Sequence, residues 1–211
     1  MSQFPLITVL LPCYNAMPFL PEALDSMIEQ TYQNLEILCI NDGSTDNTAE
    51  VLAAYAEKDS RIRIVHNEKN IRLIQSLNKG VSLAQGKYIA RMDADDVSSL
   101  ERIEKLYHFL LESDMDIVSC NYDYINESGK IVAKNELKCL SQKGIVMGSY
   151  FFTPIGHALL LGKKECFVKY EYIDSAKTLH CKDYELWSRM IRDGVRMMNL
   201  NENLYSVRSH H

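Results

Sequence analysis

The chain has 211 residues, 46% of them hydrophobic and 24% charged, which is ordinary globular composition with enough length for one large domain. A formal net charge of -5 with no basic block argues against nucleic acid as a partner. Six cysteines show no C-x-x-C pairing, and Cys13 and Cys39 sit inside apolar runs, so buried free thiols in a reducing compartment are expected.

No signal peptide is visible, because the first apolar run stops at Pro12 without a basic flank. Residues 148–162 lean apolar, but Thr153, Pro154 and His157 interrupt them and the stretch is too short for a bilayer. The expected location is the cytoplasm, with peripheral contact at the inner face of a membrane left open.

In chain order, residues 6–11 are apolar and β-branched, a buried strand ended by Pro12. Residues 19–30 carry Leu20, Ala23, Leu24, Met27 and Ile28 at helical spacing, with Pro21 tolerable in the first turn. Residues 35–40 form a second buried strand. Residues 41–46 form a loop, whose Asp46 or Thr45 would cap a helix running to about Glu57. A third strand spans 61–66, a helix 71–84, and a fourth strand 87–90. The acidic stretch Asp93-Ala94-Asp95-Asp96 follows, and Asp96 or Ser98 would cap a helix starting near Ser99 and covering 100–111. Residues 116–125 read as a strand, 126–129 as a turn leading into a hairpin strand at 130–133, 134–150 as loop and a short helix, and 182–192 as a helix. Tyr150, Phe151 and Phe152 are expected in the core.

Four strand-then-helix repeats imply a parallel sheet covered on both faces. Ligands of such sheets bind outside the carboxyl ends of the strands. Three polar clusters, at 12–15, 41–46 and 93–96, therefore meet along one edge. Three carboxylates within four positions repel one another unless a cation lies among them. Oxygen-rich sites of this kind suit Mn²⁺ or Mg²⁺, which typically share substrate phosphates. An acidic loop with a helix cap would produce the same D-x-D-D; the gathering of polar clusters goes beyond that reading.

Five ordered blocks carry a family resemblance. They are Val9-Leu10-Leu11-Pro12-Cys13-Tyr14-Asn15, Gln30-Thr31-Tyr32, Asn41-Asp42-Gly43-Ser44-Thr45-Asp46, Gly86-Lys87-Tyr88-Ile89 with Asp93-Ala94-Asp95-Asp96, and Lys182-Asp183-Tyr184-Glu185-Leu186-Trp187-Ser188-Arg189. With these blocks the chain resembles the inverting family 2 glycosyltransferases of GT-A fold. The resemblance implies an α/β fold, with a Rossmann-like, mostly parallel central sheet flanked by helices and a smaller irregular acceptor-side region. It implies one domain over 1–211, of which about 1–96 bind nucleotide and about 97–211 bind acceptor.

The implied activity is metal-dependent transfer of a sugar from a nucleotide-sugar, with UDP as nucleotide, to a glycan or lipid-linked acceptor. The resemblance assigns Asp95 as the main ligand of Mn²⁺ or Mg²⁺, and gives Asp93, beside Ala94, to the ribose or the metal. Asp96 would cap or orient. Pro12, Tyr14 and Asn15 would wall the base pocket, and Asp42 would accept a hydrogen bond from the base. Arg72 and Asn78 would reach the nucleotide. His157 would sit near the donor sugar or acceptor, and His210 would ligate the metal or close over the diphosphate. Asp183 would be the catalytic base, opposite the departing diphosphate. Trp187 would mainly pack, and a homo-oligomer is compatible with the pattern.

The chain departs from the family pattern at Asn41, which replaces the first Asp of a D-D pair, and at Ile71, where the family often has Gly. It also departs at Lys182, which replaces a Glu and would favour the ionised form of Asp183. A nucleotidyltransferase would need a Gly-rich basic loop after the first strand, and Pro12-Cys13-Tyr14-Asn15 is not one. A catalytically impaired nucleotide-sugar-binding module remains a separate alternative, with Lys182 as its mark.

Overall fold

A computed structural model of the protein describes residues 4–135, 141–175 and 181–209. Strands β1 (Ile7–Cys13), β2 (Leu35–Asn41), β3 (Ile62–His66) and β4 (Tyr88–Arg91) run parallel in the order β3-β2-β1-β4. Helices α1 (Leu20–Ile28), α2 (Thr48–Lys58) and α3 (Arg72–Leu83) connect them. As the central strand, β1 packs on both faces and so is apolar without alternation. Ile7, Val9 and Leu11 join Leu20, Leu24 and Met27 of α1 on one face. Leu10 meets Ile74, Leu77 and Val81 of α3 on the other. There α3 approaches so closely that a Cβ on Gly80 would lie 2.2 Å from Leu10 Cδ1.

Beyond the acidic loop come β5 (Val97–Ser98), α4 (Arg102–Glu112), β6 (Ile117–Ile125), β7 (Ile131–Asn135) and α5 (Gln142–Gly148). A 3₁₀ turn (His157–Leu159), β8 (Leu161–Lys163), α6 (Lys164–Lys169), α7 (Lys182–Arg192) and β9 (Met197–Arg208) follow. Among the described residues nine strands join one sheet, ordered β3-β2-β1-β4-β8-β6-β9-β5 with β7 on β6. The first four strands are parallel as expected, as is β6 with β9, but β8 pairs antiparallel to both β4 and β6.

Several expectations need correction. The helix expected from Ser99 begins at Arg102, because residues 97–98 pair with β9 as a short strand. Neither proposed residue caps it: the Ser98 amide donates to Ser26 Oγ, and Asp96 accepts from the Arg208 amide. Tyr150 and Phe151 are 73% and 80% exposed, and Phe152 46%, since the turn after α5 carries them outward while Ile145 points into the core. Trp187 is fully buried, as a packing residue should be. Cys13, Cys39, Cys120 and Cys166 are buried free thiols, and Cys181 is exposed; Cys139 lies outside the described residues.

Candidate active site

The carboxyl ends of β1, β2 and β4 form the floor of the site. Asn15, just after β1, holds a left-handed φ of 48°, a conformation Asn tolerates better than most residues. Its Oδ1 accepts from the Thr45 amide at 2.8 Å and its own amide donates to Ser44 Oγ at 3.0 Å. These bonds tie the loop after β1 to the loop after β2. Gly43 belongs to that second loop, at φ 68°, where a Cβ would come within 2.6 Å of the Lys69 backbone. The N-cap position of α2 is Asn47, which makes no side-chain cap bond, rather than the expected Asp46 or Thr45; Asp46, one residue before it, takes the Thr48 amide on Oδ1 at 3.0 Å.

Pro12, Tyr14, Asn15, Asp93, Ala94 and Asp95 surround a cavity of about 360 Å³. Tyr14 is half exposed and presents an aromatic face of the kind on which a nucleobase stacks. Asp42 is almost fully buried, and its Oδ1 accepts from Asn67 Nδ2 at 2.8 Å and the Ile71 amide at 2.9 Å. That oxygen braces the turn from β3 into α3. Asn67, which sequence reasoning did not single out, completes the brace through Ser76 Oγ.

A second cavity of about 300 Å³ adjoins the first, lined by Arg91, Asp93, Asp96, His157, Lys182 and Asp183 among others. Asp93 is a wall of both cavities. Arg91, at the end of β4, grips both Asp93 oxygens at 2.5 Å in a bidentate pair. The Asp93 amide donates to Tyr205 Oη at 3.0 Å. Asp96 is buried, and burial with the neighbouring Asp93 charge pushes its carboxyl up to about 7.

Asp183 stands in the first turn of α7. Burial raises its carboxyl above the usual carboxylate range, although Arg91 and Lys182 pull the other way. The expected effect of Lys182 is therefore present but outweighed by desolvation. Among the described residues Asp183 Oδ1 is buried without a hydrogen-bond partner, and His157 Nδ1 lies 3.6 Å from it. Burial, reinforced by Arg91 and Lys182, holds the His157 imidazole far below its ordinary value, so it is neutral at pH 7. Its Nε2 lies 2.7 Å from Tyr172 Oη.

Other expected contributors fall elsewhere. Asn78 gives both ends of its amide to the Tyr172 backbone, at 2.9 and 3.0 Å. Arg72 is exposed and lines a smaller cavity of about 110 Å³ with Lys182 and Asp174. The left-handed residue of its turn is Arg72 itself, at φ 73°, rather than Ile71, whose φ is -102°. His210 lies outside the described residues. The strand leading towards it ends at Arg208, whose amide donates to Asp96 Oδ1 at 2.8 Å and whose Nε donates to the Asp95 carbonyl at 2.7 Å.

Among the described residues no cluster of three or more acidic, histidine or cysteine side chains could cage a metal. Asp93 is paired with Arg91, and Asp95 lines the same cavity. This donor set fits a hard ion that takes one or two protein carboxylates and completes its shell with diphosphate and water. Sequence reasoning gave no role to Arg91, Tyr172, Tyr205 or Arg208. Tyr205 and Arg208 lie in a tail, Leu204 to His210, that resembles the family's closing pattern, and Arg91 is a cation closing a buried strand beside the acidic triplet.

The fold is of the GT-A type. The family model described as glycosyl transferase family 2 matches residues 8–168, and the chain belongs to that family. A Haemophilus influenzae protein named as an uncharacterized glycosyltransferase is 34% identical over 100% of this chain and 67% of its own length. The structure of S. aureus TarS residues 1–349 in complex with UDP-GlcNAc superposes with a TM-score of 0.79 at 17% identity, covering 97% of this chain and 59% of that one. The mannosyltransferase PcManGT from Pyrobaculum calidifontis, in complex with GDP-Man and Mn²⁺, superposes with a TM-score of 0.75 at 19% identity, covering 97% of this chain and 57% of that one. The chain thus spans under two thirds of either solved neighbour. Among the described residues no helix is long and apolar enough to cross a membrane.

Proposed function

We propose that the chain is an inverting, metal-dependent glycosyltransferase that moves a sugar from a nucleotide-sugar, in first place a UDP-sugar, to a hydroxyl of a glycan or lipid-linked acceptor. The observation that carries this reading is the position of Asp93 as the shared wall of two cavities. One cavity offers Tyr14 and Asp95 to a nucleoside diphosphate, and the other holds a partly buried carboxylate, Asp183, for the acceptor.

The chemistry follows from that division. Asp183 takes the proton of the acceptor hydroxyl, whose oxygen attacks the anomeric carbon while the bond to the diphosphate oxygen breaks. The nucleoside diphosphate departs on the Asp93–Asp95 side. A bound divalent ion, held by Asp95 with help from Asp93, would neutralise the charge developing on it. Arg91 orients Asp93 through its fork and lends positive potential to the cavity in which the bond breaks.

The test is a donor screen following UDP and GDP release across nucleotide-sugars, repeated with Asp183→Asn on the active donor. The variant should bind donor normally and lose transfer by roughly 10²–10⁴-fold, the range for a general base. Wild-type turnover in Asp183→Asn would sink the base assignment, and release of neither nucleotide in the presence of acceptors would favour a binding module.

A further inference from the structure

We propose that His157 and Tyr172 position the base: the Tyr172 hydroxyl fixes His157 in the Nδ1–H tautomer, and that N–H holds the inner oxygen of Asp183. The inference deepens the reading above, since it presumes that Asp183 is the base. It gives His157 a role on the carboxylate rather than on a sugar.

The argument starts from orphaned polarity. A buried carboxylate oxygen without a partner costs on the order of 1–3 kcal/mol, so native proteins seldom leave one. Asp183 Oδ1 is such an atom, and a ring nitrogen of His157 lies 3.6 Å away. That spacing is longer than a hydrogen bond, but catalytic contacts in ligand-free enzymes are often long and tighten in the reacting complex. Closure needs a movement of well under one ångström.

The tautomer follows from the other side of the ring. The imidazole is neutral, so it carries one proton. Tyr172 is buried, its hydroxyl is held in the protonated form by that burial, and it lies 2.7 Å from Nε2. A phenol donating to Nε2 leaves the proton on Nδ1, facing the carboxylate. The opposite tautomer would turn a nitrogen lone pair towards an oxygen that already lacks a donor. Tyr172 is itself fixed, because Asn78 clamps both polar groups of its backbone. Thus Asn78 on α3, residue 172 after α6, the 3₁₀ turn at His157 and α7 form one chain of contacts ending on the base. The outer Asp183 oxygen stays turned to the cavity and its substrate. The charged groups acting on this chain are Arg91 and Asp93 from the end of β4 and Lys182 from α7 itself.

Two measurements test the proposal. Nitrogen-15 spectra of the histidine-labelled chain should show His157 as the Nδ1–H tautomer, still neutral at about pH 6.5, where an ordinary imidazole is half protonated. An Nε2–H tautomer, or protonation near the ordinary value, overturns it without any reference to activity. In kinetics, His157→Leu should lower kcat on the order of 10–100-fold with donor KM little changed, the cost of a misplaced group. Its acid limb should move to higher pH, because a donor to the charged carboxylate is gone. His157→Asn, which keeps an N–H near the Nδ1 position, should recover much of that loss, and Tyr172→Phe should show mixed tautomers. If Asp183→Asn is inactive while His157→Leu keeps the wild-type kcat and acid limb, the positioning role is wrong and the base assignment stands. If Asp183→Asn is fully active, the base assignment is what fails.

Discussion

At Asp183 the environment works against the charge that a base must carry. Burial raises its pKa, while Arg91 and Lys182 restrain the rise. A base acts ionised, so transfer should fall as pH drops through this raised value, at higher pH than for a solvated aspartate. Lys182→Gln removes one restraining cation, and the acid limb of kcat/KM should then move further up. A limb that stays in place or shifts to lower pH in that variant would show that Lys182 does not act on the base. Lys182 thus makes Asp183, the proposed base, easier to ionise, which fits an active enzyme better than an impaired one.

Among the elements, β9 does the most for a site to which it contributes few chemical groups. Tyr205 receives the Asp93 amide, and Arg208 holds both the Asp95 carbonyl and the Asp96 carboxylate. The Arg208 guanidinium also takes the carbonyls of Asn126 and Glu127, pairs with Glu22 and stacks 4.4 Å from the Phe19 ring. Replacing it by Leu leaves three acceptors without their donors, and should cost on the order of 2–4 kcal/mol, Glu22 being half exposed and able to rehydrate. Urea unfolding of Arg208→Leu would measure this, and a midpoint equal to wild type would remove Arg208 from its clasping role. Arg208→Lys should restore little, since one ammonium cannot serve a planar fork's several partners.

How much of this was legible in the sequence differs by element. Strands β1 and β2 announced themselves as largely apolar runs, interrupted by the buried Thr8 and Glu36, because central parallel strands bury both faces. Strand β9 did not: its sequence Met197-Met198-Asn199-Leu200-Asn201-Glu202-Asn203 breaks the alternation, and its register against β6 shifts twice near Cys120 and Asn121. Strand β8 has three residues, too few for any period. In the site, the acidic triplet and Asp183 carried strong local patterns. Tyr172 and Arg208 act through contacts across the chain that no local spacing encodes, and Asn78 had an amide whose partner was a distant backbone.

For the molecule as a whole, donor binding should appear as added stability. A ligand that binds only the folded state at a hundred times its Kd contributes about 2.7 kcal/mol, several degrees in Tm for a chain of this size. UDP with Mn²⁺ should raise the thermal midpoint well beyond UDP or Mn²⁺ alone. In Asp95→Ala the extra increment from combining them should vanish. An undiminished increment would place the metal away from Asp95.

The clasp on the acidic loop also has a consequence for the order in which the site can be made. Asp96 and Arg208 are 112 residues apart, as are Asp93 and Tyr205. A chain emerging from the ribosome can pair β1 to β4 long before residues 205–208 exist, since domains generally fold from the N-terminus during synthesis. Through that interval the three carboxylates are present but their loop lacks its backstop. Competence for nucleotide should therefore arrive as a late event of synthesis, when β9 closes over a sheet already formed.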